Sequence, residues 1–367
     1  MHEVVAAMTM KIDPKSNAGK TNAGNFFEDF KVGQVLKHAT PRTITHGDVA
    51  LYTGLYANRF AINTSDAFAQ KLGLARSPLD DFLVFHMVFG KTVPDISLNA
   101  IANLGYAGCR FLKPVFPGDT LSASSVVTGL KENSNRKTGV VHVTSTGRNQ
   151  NGEVVLEYAR WVMVRKADEN APAPEPKEPK HPERVEPKDL GAALPRIDSK
   201  AYDLALAGSP HLWGSYQAGE RIDHIDGMTI EESDHQLATR LYQNTAKVHF
   251  NLHTEKQGRF GRRIVYGGHV ISLARSLSFN GLANAIHVAA INGGRHVAPS
   301  FAGDTIYAWS EILETVALPS RSDVGALRVR TIATKDLPCA AFPRLKADGA
   351  YENGVVLELD YWVLMPR

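Results

Sequence analysis

Cysteine is scarce in this chain of 367 residues, and neither sign of charge prevails. The two cysteines, Cys109 and Cys339, are too few for a disulfide framework and too far apart to read as a pair of metal ligands. The 41 Lys and Arg against 38 Asp and Glu leave a net charge of +3, which gives no basic field for nucleic acid. The composition therefore predicts no nucleic-acid partner and a reducing, cytoplasmic location.

Long apolar runs are also lacking. No run approaches the roughly 20 residues that cross a bilayer, so we expect no membrane partner. The N-terminal segment has no charged stretch ahead of an apolar core, so residues 1–25 are predicted to be a tail rather than a signal peptide. With 43% hydrophobic and 22% charged residues, the rest is typical of a globular protein whose length favours two domains.

Proline is concentrated in one segment, where seven prolines between Lys166 and Lys200 alternate with Glu, Lys and Ala. Proline fixes φ and removes a backbone donor, and alternating charges favour hydration. Residues 167–196 are therefore predicted to form an extended, semi-rigid linker between domains at 26–166 and 197–367.

The segments on either side of this linker repeat each other. When the chain is aligned with itself at a shift of 186 positions, identical residues in the second half match Gly33, Ile44, Asp48, Leu51 and Asn58. At an offset of 185, residues 110–120 and 295–305 share six of eleven residues, and at 201 the strings VVLE and WV recur. The increase in this shift from 185 to 201 positions predicts 16 extra residues in the second copy, near Cys339. Two copies with so long a period indicate a domain duplication.

Each copy has the same predicted layout of one opening strand, a helical segment, and three or four long strands. In the first copy the strands are expected near 109–112, 120–130, 138–148 and 154–165, with period-2 alternation and Gly-containing turns between them. The helix candidates are 66–72 and the string LVFHMVFGKTV. The pattern predicts an α+β fold in which an antiparallel sheet wraps round an apolar helix.

The repeated string Pro-x-Phe-x-Gly-Asp-Thr in this layout resembles the MaoC-like branch of the hot-dog fold, and the duplication makes it a double hot-dog. Strings such as GDVALYTGLYANRFA and LYQNTAKVHFN resemble the mesaconyl-CoA hydratase family more closely. That resemblance covers residues 26–166 and 197–367. It implies a hydro-lyase that reversibly hydrates a branched, unsaturated dicarboxylic acid carried as a CoA thioester, with no further cofactor.

The resemblance also implies a catalytic pair, since MaoC-like hydratases carry Asp and His in the pattern Asp-x-Asn-Pro-x-His. Here the matching residues are Asn244 and His249, so the histidine is present and the aspartate is missing. An amide has no titratable proton, which leaves His249 as the proton-transfer group and Asn244 as an orienting residue. A structural histidine and a turn-capping asparagine are the alternatives.

In the same family, backbone N–H groups beside a His-Gly pair hold the thioester oxygen. Gly267 and Gly268 match that position, with Tyr266 in place of the histidine, and a plain turn is the alternative. His269 is expected to pack or cap rather than react. His253 lies four residues after His249, but without a third ligand the pair predicts no metal site.

A substrate carboxylate needs a cation, and Arg can bind it through two parallel hydrogen bonds. The candidates are Arg59, Arg262 and Arg263, each of which could equally be an ordinary surface charge. Asp80 and Asp81 match Tyr266 and Gly267 in the first copy, where a helix N-cap is the better-supported role than a replacement carboxylate.

The first copy has Asn63 where the second has His249, so its site is predicted to be inactive and to serve binding or packing. A hot-dog thioesterase, a general short-chain (R)-specific enoyl-CoA hydratase and a non-catalytic acyl-CoA-binding protein remain as alternatives. We expect a homodimer of double hot-dogs.

Overall fold

The structure is a computed structural model that describes residues 17–367. The predicted tail over residues 1–25 therefore lies mostly outside the described residues.

Ten strands form one continuous antiparallel sheet. They are β1 (Val35–Thr43), β2 (Ala100–Phe111), β3 (Thr120–Glu132), β4 (Thr138–Arg148), β5 (Val154–Arg165), β6 (Arg221–Thr229), β7 (His287–His296), β8 (Thr305–Ala317), β9 (Val324–Lys335) and β10 (Val355–Pro366). Their order across the sheet is β1-β3-β4-β5-β2-β7-β10-β9-β8-β6. Each half of the chain thus contributes five neighbouring strands in the same order, which mirrors the sequence repeat.

The α-helices lie mainly between the first and second strands of each half. They are α1 (His46–Tyr56), α2 (Ala61–Thr64), α3 (Asp66–Lys71), α4 (Asp81–Thr92), α5 (Leu204–Ala207), α6 (Glu232–Leu241), α7 (Lys247–Phe250), α8 (Leu252–Glu255), α9 (Gly267–Leu277) and α10 (Phe279–Leu282). A π-helical turn, Val93–Ser97, follows α4, and short 3₁₀ turns occupy Asn17–Lys20, Phe27–Asp29, Pro187–Asp189, Ser199–Ala201 and Trp213–Ser215.

One long apolar helix forms the core of each half. Every residue of α4 from Phe82 to Thr92 is buried, as is every residue of α9 after Gly267. A helix without a polar face is stable only when it is enclosed. In this fold α4 packs on β1, β3, β4 and β5, and α9 packs on β6, β8, β9 and β10. The predicted α+β double hot-dog fold is confirmed.

The two halves join edge to edge through β2 and β7. Tyr106 lies opposite Gly294, and Arg110 lies opposite Ala290. β2 begins at Ala100, several residues before the predicted start at 109, because its earlier residues pair with β5. Its later residues pair with both β5 and β7.

The helices of the two halves also touch at the centre of the molecule. The Tyr56 and Tyr242 hydroxyls are 2.8 Å apart, and the Tyr52 hydroxyl is 3.0 Å from Ser272 Oγ. A Cβ atom at Gly90 of α4 would lie 1.8 Å from the Tyr242 carbonyl oxygen, so only glycine allows this approach. The central helices α4 and α9 therefore belong to one hydrophobic core.

The extra residues of the second half lie in the connection between β9 and β10. This connection spans 336–354, whereas the corresponding connection between β4 and β5 spans only 149–153. Cys339 is buried there beside Trp309 and Ile332.

The proline-rich segment is packed against the protein. Val185, Leu190 and Leu194 are buried in a second hydrophobic cluster with residues of both halves. The Trp362 indole N–H donates to the Val185 carbonyl oxygen at 3.0 Å. Because these contacts are apolar and enclosed, the segment contributes to stability in addition to connecting the halves.

Among residues 17–367, no helix is both long and apolar enough to cross a membrane.

We predict that Leu194→Ala destabilises the protein by about 2–5 kcal/mol, because it leaves a cavity in an enclosed apolar cluster. Leu194 is 4% exposed, whereas Leu206, the matched control, is 62% exposed. Leu206→Ala should change the free energy of unfolding by less than about 0.5 kcal/mol. Denaturant unfolding of both variants checks this, and equal effects would show that the segment is not docked in solution.

Candidate active site

A cavity of about 270 Å³ lies between the two halves. The second half contributes residues before and within the start of α9, and the first half contributes the start of β2 together with side chains from α4 and β5. The polar residues that line it are Ser97, Asn103, Tyr106, Arg160, Asn244, His249, Tyr266, His296 and Ser300. No carboxylate is among the lining residues.

His249 lies in the short helix α7 and lines this cavity. Its Nδ1 is 2.9 Å from the Ile264 carbonyl oxygen. A carbonyl oxygen only accepts, so Nδ1 carries the proton and Nε2 is left with a free lone pair. Burial lowers the pKa of His249 to about 4, although the hydrogen bond to Ile264 acts in the opposite direction. The imidazole is therefore neutral at physiological pH and can accept a proton.

Asn244 also lines the cavity, and it caps the following turn. Its Oδ1 accepts a hydrogen bond from the Ala246 N–H at 3.1 Å. In the first half, Asn58 makes the same cap and donates from Nδ2 to Asp80 at 2.9 Å. Since Tyr266 replaces Asp80 in the second half, the Nδ2 donor of Asn244 lacks that carboxylate partner. Both roles expected from the sequence, capping and a place in the site, are thus compatible.

Gly267 and Gly268 begin α9, and Gly267 lines the cavity. The first N–H groups of a helix have no partner within it, and here the N-cap residue Tyr266 makes no side-chain cap. A Cβ at Gly267 would lie 2.4 Å from the His296 ring, and one at Gly268 would lie 2.3 Å from the Tyr266 ring. Only glycines leave space for this packing, and the N–H groups lie at the positive end of the helix dipole.

The three arginines expected to hold a carboxylate do not line the cavity, which corrects that expectation. Arg59 is exposed and stacks 4.4 Å from the centre of the Phe279 ring. Arg262 is exposed and lies 3.8 Å from the centre of the Phe301 ring. Arg263 forms a salt bridge with the Glu232 carboxylate, which balances its positive charge. Proximity in sequence to the site residues did not bring these side chains to the site.

The cavity holds residues that the sequence analysis missed. The Tyr106 hydroxyl, from the first half, lies 2.8 Å from Nε2 of His296, from the second half. Arg160 of β5 is fully buried and is the one arginine among the lining residues. The signal for it was present, because Arg160 interrupts the inward-facing alternate row of β5, which is Leu156, Tyr158, Arg160, Val162 and Val164.

The corresponding site of the first half is closed. Asn63 donates to the Pro78 carbonyl oxygen at 3.2 Å, and this bond matches the one from His249 to Ile264. The space beside it is only about 10 Å³ and is lined in part by Ala193 and Leu194 of the proline-rich segment. The first half therefore lacks both the imidazole and the room for a ligand at this position.

The two aspartates of the first half have structural partners. Asp80 is the N-cap of α4 and also accepts from the Tyr52 hydroxyl at 3.2 Å. Asp81 lies 2.9 Å from Nδ1 of His287. Neither lines the large cavity, so the N-cap role predicted for this pair is confirmed for Asp80.

His269 packs in the buried core, where its Nδ1 is 2.9 Å from the Tyr56 hydroxyl, and it does not line the cavity. Over the described part of the chain, no group of three or more His, Cys, Asp or Glu side chains is placed to hold a metal ion.

The lowered pKa of His249 can be measured directly. Burial disfavours the charged imidazolium, so we expect the ring to remain neutral as pH falls to about 5 and to gain a proton near pH 4. Histidine-labelled NMR, with the resonance assigned by its loss in His249→Ala, gives the midpoint. A midpoint at or above 6.5 would contradict the buried environment described above.

Comparison with known proteins agrees with this architecture. The family model for mesaconyl-CoA hydratase matches residues 13–340. The chain is 68% identical over 350 residues to a beta-methylmalyl-CoA dehydratase of Chloroflexus aurantiacus, covering 95% of this chain and 99% of the relative. It is 57% identical over 349 residues to a mesaconyl-CoA hydratase of Cereibacter sphaeroides, covering 95% of this chain and 100% of the relative.

Solved structures show the same fold. A MaoC domain protein dehydratase from Chloroflexus aurantiacus superposes with a TM-score of 0.93 at 67% identity, covering 95% of this chain and 99% of that one. A double hot-dog protein from Mycobacterium tuberculosis superposes with a TM-score of 0.70 at 24% identity, covering 94% and 99%, and is similar in fold alone. With a family model matched over most of its length and two full-length relatives, the chain belongs to the mesaconyl-CoA hydratase family.

Proposed function

We propose that the protein is a hydro-lyase that reversibly adds water to the double bond of mesaconyl-CoA to give β-methylmalyl-CoA. The observation that carries the proposal is one cavity that is lined both by a neutral imidazole, His249, and by Gly267, the first residue of α9. The names of its full-length curated relatives support the same reaction.

The chemistry requires a base, an acid and donors for the enolate oxygen. Nε2 of His249 accepts a proton from water while the water oxygen bonds to the β-carbon of the unsaturated thioester. The electrons move to the thioester oxygen, where the N–H groups of Gly267 and Gly268 stabilise the enolate. The imidazolium then returns a proton to the α-carbon, so water is added overall and the histidine is regenerated.

Asn244 replaces the aspartate of related hydratases, so His249 is the titratable member of this pair and serves as both base and acid. The Asn244 amide can hold the attacking water through a hydrogen bond, but it cannot accept a proton from the water. The absence of a carboxylate from the lining residues disfavours a hot-dog thioesterase, which generally uses one. A non-catalytic acyl-CoA-binding protein would not need a histidine in the cavity whose tautomer is fixed with Nε2 unprotonated.

The reaction classes are separated by one optical assay on mesaconyl-CoA. Hydration removes the absorbance of the enoyl thioester and leaves the thioester intact, whereas hydrolysis releases a free thiol that a thiol reagent detects. A binding protein changes neither signal. Loss of enoyl absorbance without thiol release is the expected result, and thiol release at the same rate would replace the hydro-lyase proposal with a thioesterase.

We predict that His249→Ala lowers kcat by about 10²–10⁴-fold, because it removes the proton-transfer group. The matched control is Asn63→Ala, which removes the equivalent residue of the closed first-half site and its hydrogen bond to Pro78. The control should retain activity within about tenfold. Both variants should give wild-type circular dichroism; a folded His249→Ala protein with more than about a tenth of wild-type activity would make His249 structural, and equal losses would mean that the halves share the chemistry.

Gly267→Ala tests the helix start. The new methyl group would lie 2.4 Å from the His296 ring, so either the ring or the first turn of α9 must shift. Because misplacing oxyanion donors costs about 10²-fold or more in kcat, we expect a loss of that size. Gly54→Ala in α1 is the control, since its Cβ would meet no atom within 4 Å. Unchanged turnover in Gly267→Ala would contradict the expectation that this substitution disturbs the reaction.

Four further features are proposals of the same kind. We infer that the CoA thioester is the ligand and that the chain needs no metal or separate cofactor. Two buried free cysteines are compatible with a cytoplasmic location. A homodimer is expected from the sequence, and sedimentation velocity at several concentrations tests it.

A further inference from the structure

Arg160 is a buried cation with no ionic partner in the described chain. Its relative exposure is 0%, and it belongs to none of the salt bridges among residues 17–367. Nη2 donates to Thr92 Oγ1 at 2.9 Å and more weakly to Ser97 Oγ at 3.4 Å. Nε and Nη1 are buried and have no hydrogen-bond partner among these residues.

Such an arrangement is costly without an anion. A guanidinium removed from water loses its hydration, and two neutral hydroxyl groups do not replace it. The Phe89 ring, 4.3 Å from the guanidinium carbon, supplies only part of the missing interaction. Two of the other three buried arginines among the described residues pair with a carboxylate, Arg321 with Asp323 at 2.6 Å and Arg328 with Asp360 at 2.7 Å. The third, Arg275, donates to the Ala285 carbonyl oxygen and to Ser278 Oγ, and within residues 17–367 none of the three has a buried guanidinium nitrogen without a partner.

The fold itself does not require a charge at this position. In the sequence repeat, the offset of 201 that aligns Trp161 with Trp362 aligns Arg160 with Tyr361. Tyr361 is also buried on the inward face of its strand, and its hydroxyl lies 3.0 Å from Thr331 Oγ1. The same place in the second half is thus filled by a neutral, partnered side chain. The buried arginine of the second half, Arg275, matches Phe89 in the repeat and donates to the Ala285 carbonyl oxygen, whereas Arg160 lines the cavity.

Arg160 adjoins the space where the substrate is expected. Arg160, from the first half, and His249, from the second, line the same cavity of about 270 Å³. A ligand that fills this cavity can present an unsaturated carbon to His249 and an anionic group to Arg160. Carboxylates fit this requirement because they accept charge-assisted hydrogen bonds from a guanidinium.

We propose that Arg160 binds the free carboxylate of the acyl group and thereby selects dicarboxylic over monocarboxylic enoyl thioesters. This inference rests on the proposed hydro-lyase function and names the specificity residue of that site. The two halves then have different roles. The second half transfers the protons, and the first half binds the far end of the acyl chain.

The test compares two thioesters that differ only at that end. Mesaconyl-CoA carries a carboxylate where the E isomer of 2-methylcrotonyl-CoA carries a methyl group. Without the carboxylate the guanidinium stays buried and unpaired, so wild-type kcat/KM should be at least about 10²-fold lower for 2-methylcrotonyl-CoA. In Arg160→Met, kcat/KM for mesaconyl-CoA should fall by about 10²-fold or more, whereas that for 2-methylcrotonyl-CoA should change less than about fivefold.

Arg59→Met is the matched control, because Arg59 is an exposed arginine that stacks on an aromatic ring outside the cavity. It should keep both kcat/KM values within about twofold. Arg160→Lys, which retains the charge but not the planar fork, should keep part of the discrimination. It is also the second variant to use if Arg160→Met does not fold.

A measurement on the wild type alone makes the test independent of folding. Saturated thioesters cannot react, so succinyl-CoA and butyryl-CoA serve as competitive inhibitors, and succinyl-CoA should bind at least about tenfold more tightly. Equal inhibition, or equal loss of both substrates in folded Arg160 variants, would overturn the role of Arg160 and leave the hydro-lyase proposal standing. Failure of the wild type to hydrate either thioester would overturn both.

Discussion

The antiparallel pairing of β2 with β7 is the contact on which the rest of the structure depends. It fuses two five-stranded sheets into one and brings the start of β2 from the first half against the residues that precede α9 in the second. The cavity exists because of this pairing, since neither half alone encloses it. Hydrogen bonds between Tyr56 and Tyr242 and between Tyr106 and His296 connect the same surfaces.

The duplication has produced two equivalent positions, one of which is open to a ligand while the other is closed. In the second half the space beside His249 is open, and in the first the space beside Asn63 is nearly filled by the proline-rich segment. The backbone hydrogen bond made by each of these side chains is retained, so the local fold survived the loss of the imidazole. The closed position now stabilises the molecule through apolar packing, and the open position keeps its polar groups for a ligand.

The cavity is lined by a buried charge that the described part of the chain does not pair. A protein interior normally satisfies its charges, as Arg321 and Arg328 illustrate. Arg160 departs from that rule beside the cavity that also contains the neutral His249. A guanidinium with unpartnered nitrogens in the same enclosed space as a neutral imidazole favours an anionic ligand over water, because an anion restores the interactions that the guanidinium lost on burial.

Local sequence determined much of this protein. Period-2 alternation located the strands, and the internal repeat established two copies of one fold. The resemblance to MaoC-like hydratases led to Asn244, His249 and the Gly267–Gly268 pair, of which Asn244, His249 and Gly267 line the cavity. The same reasoning failed for Arg59, Arg262 and Arg263, which are near the site in sequence but point elsewhere. Only the tertiary structure brought Arg160, Tyr106 and His296 to the cavity, because the pairing of β2 with β7 joins residues about 190 positions apart and that pairing leaves no local pattern in the chain. The inward-facing row of β5 shows that Arg160 is buried, but what it faces is decided by the other half of the molecule.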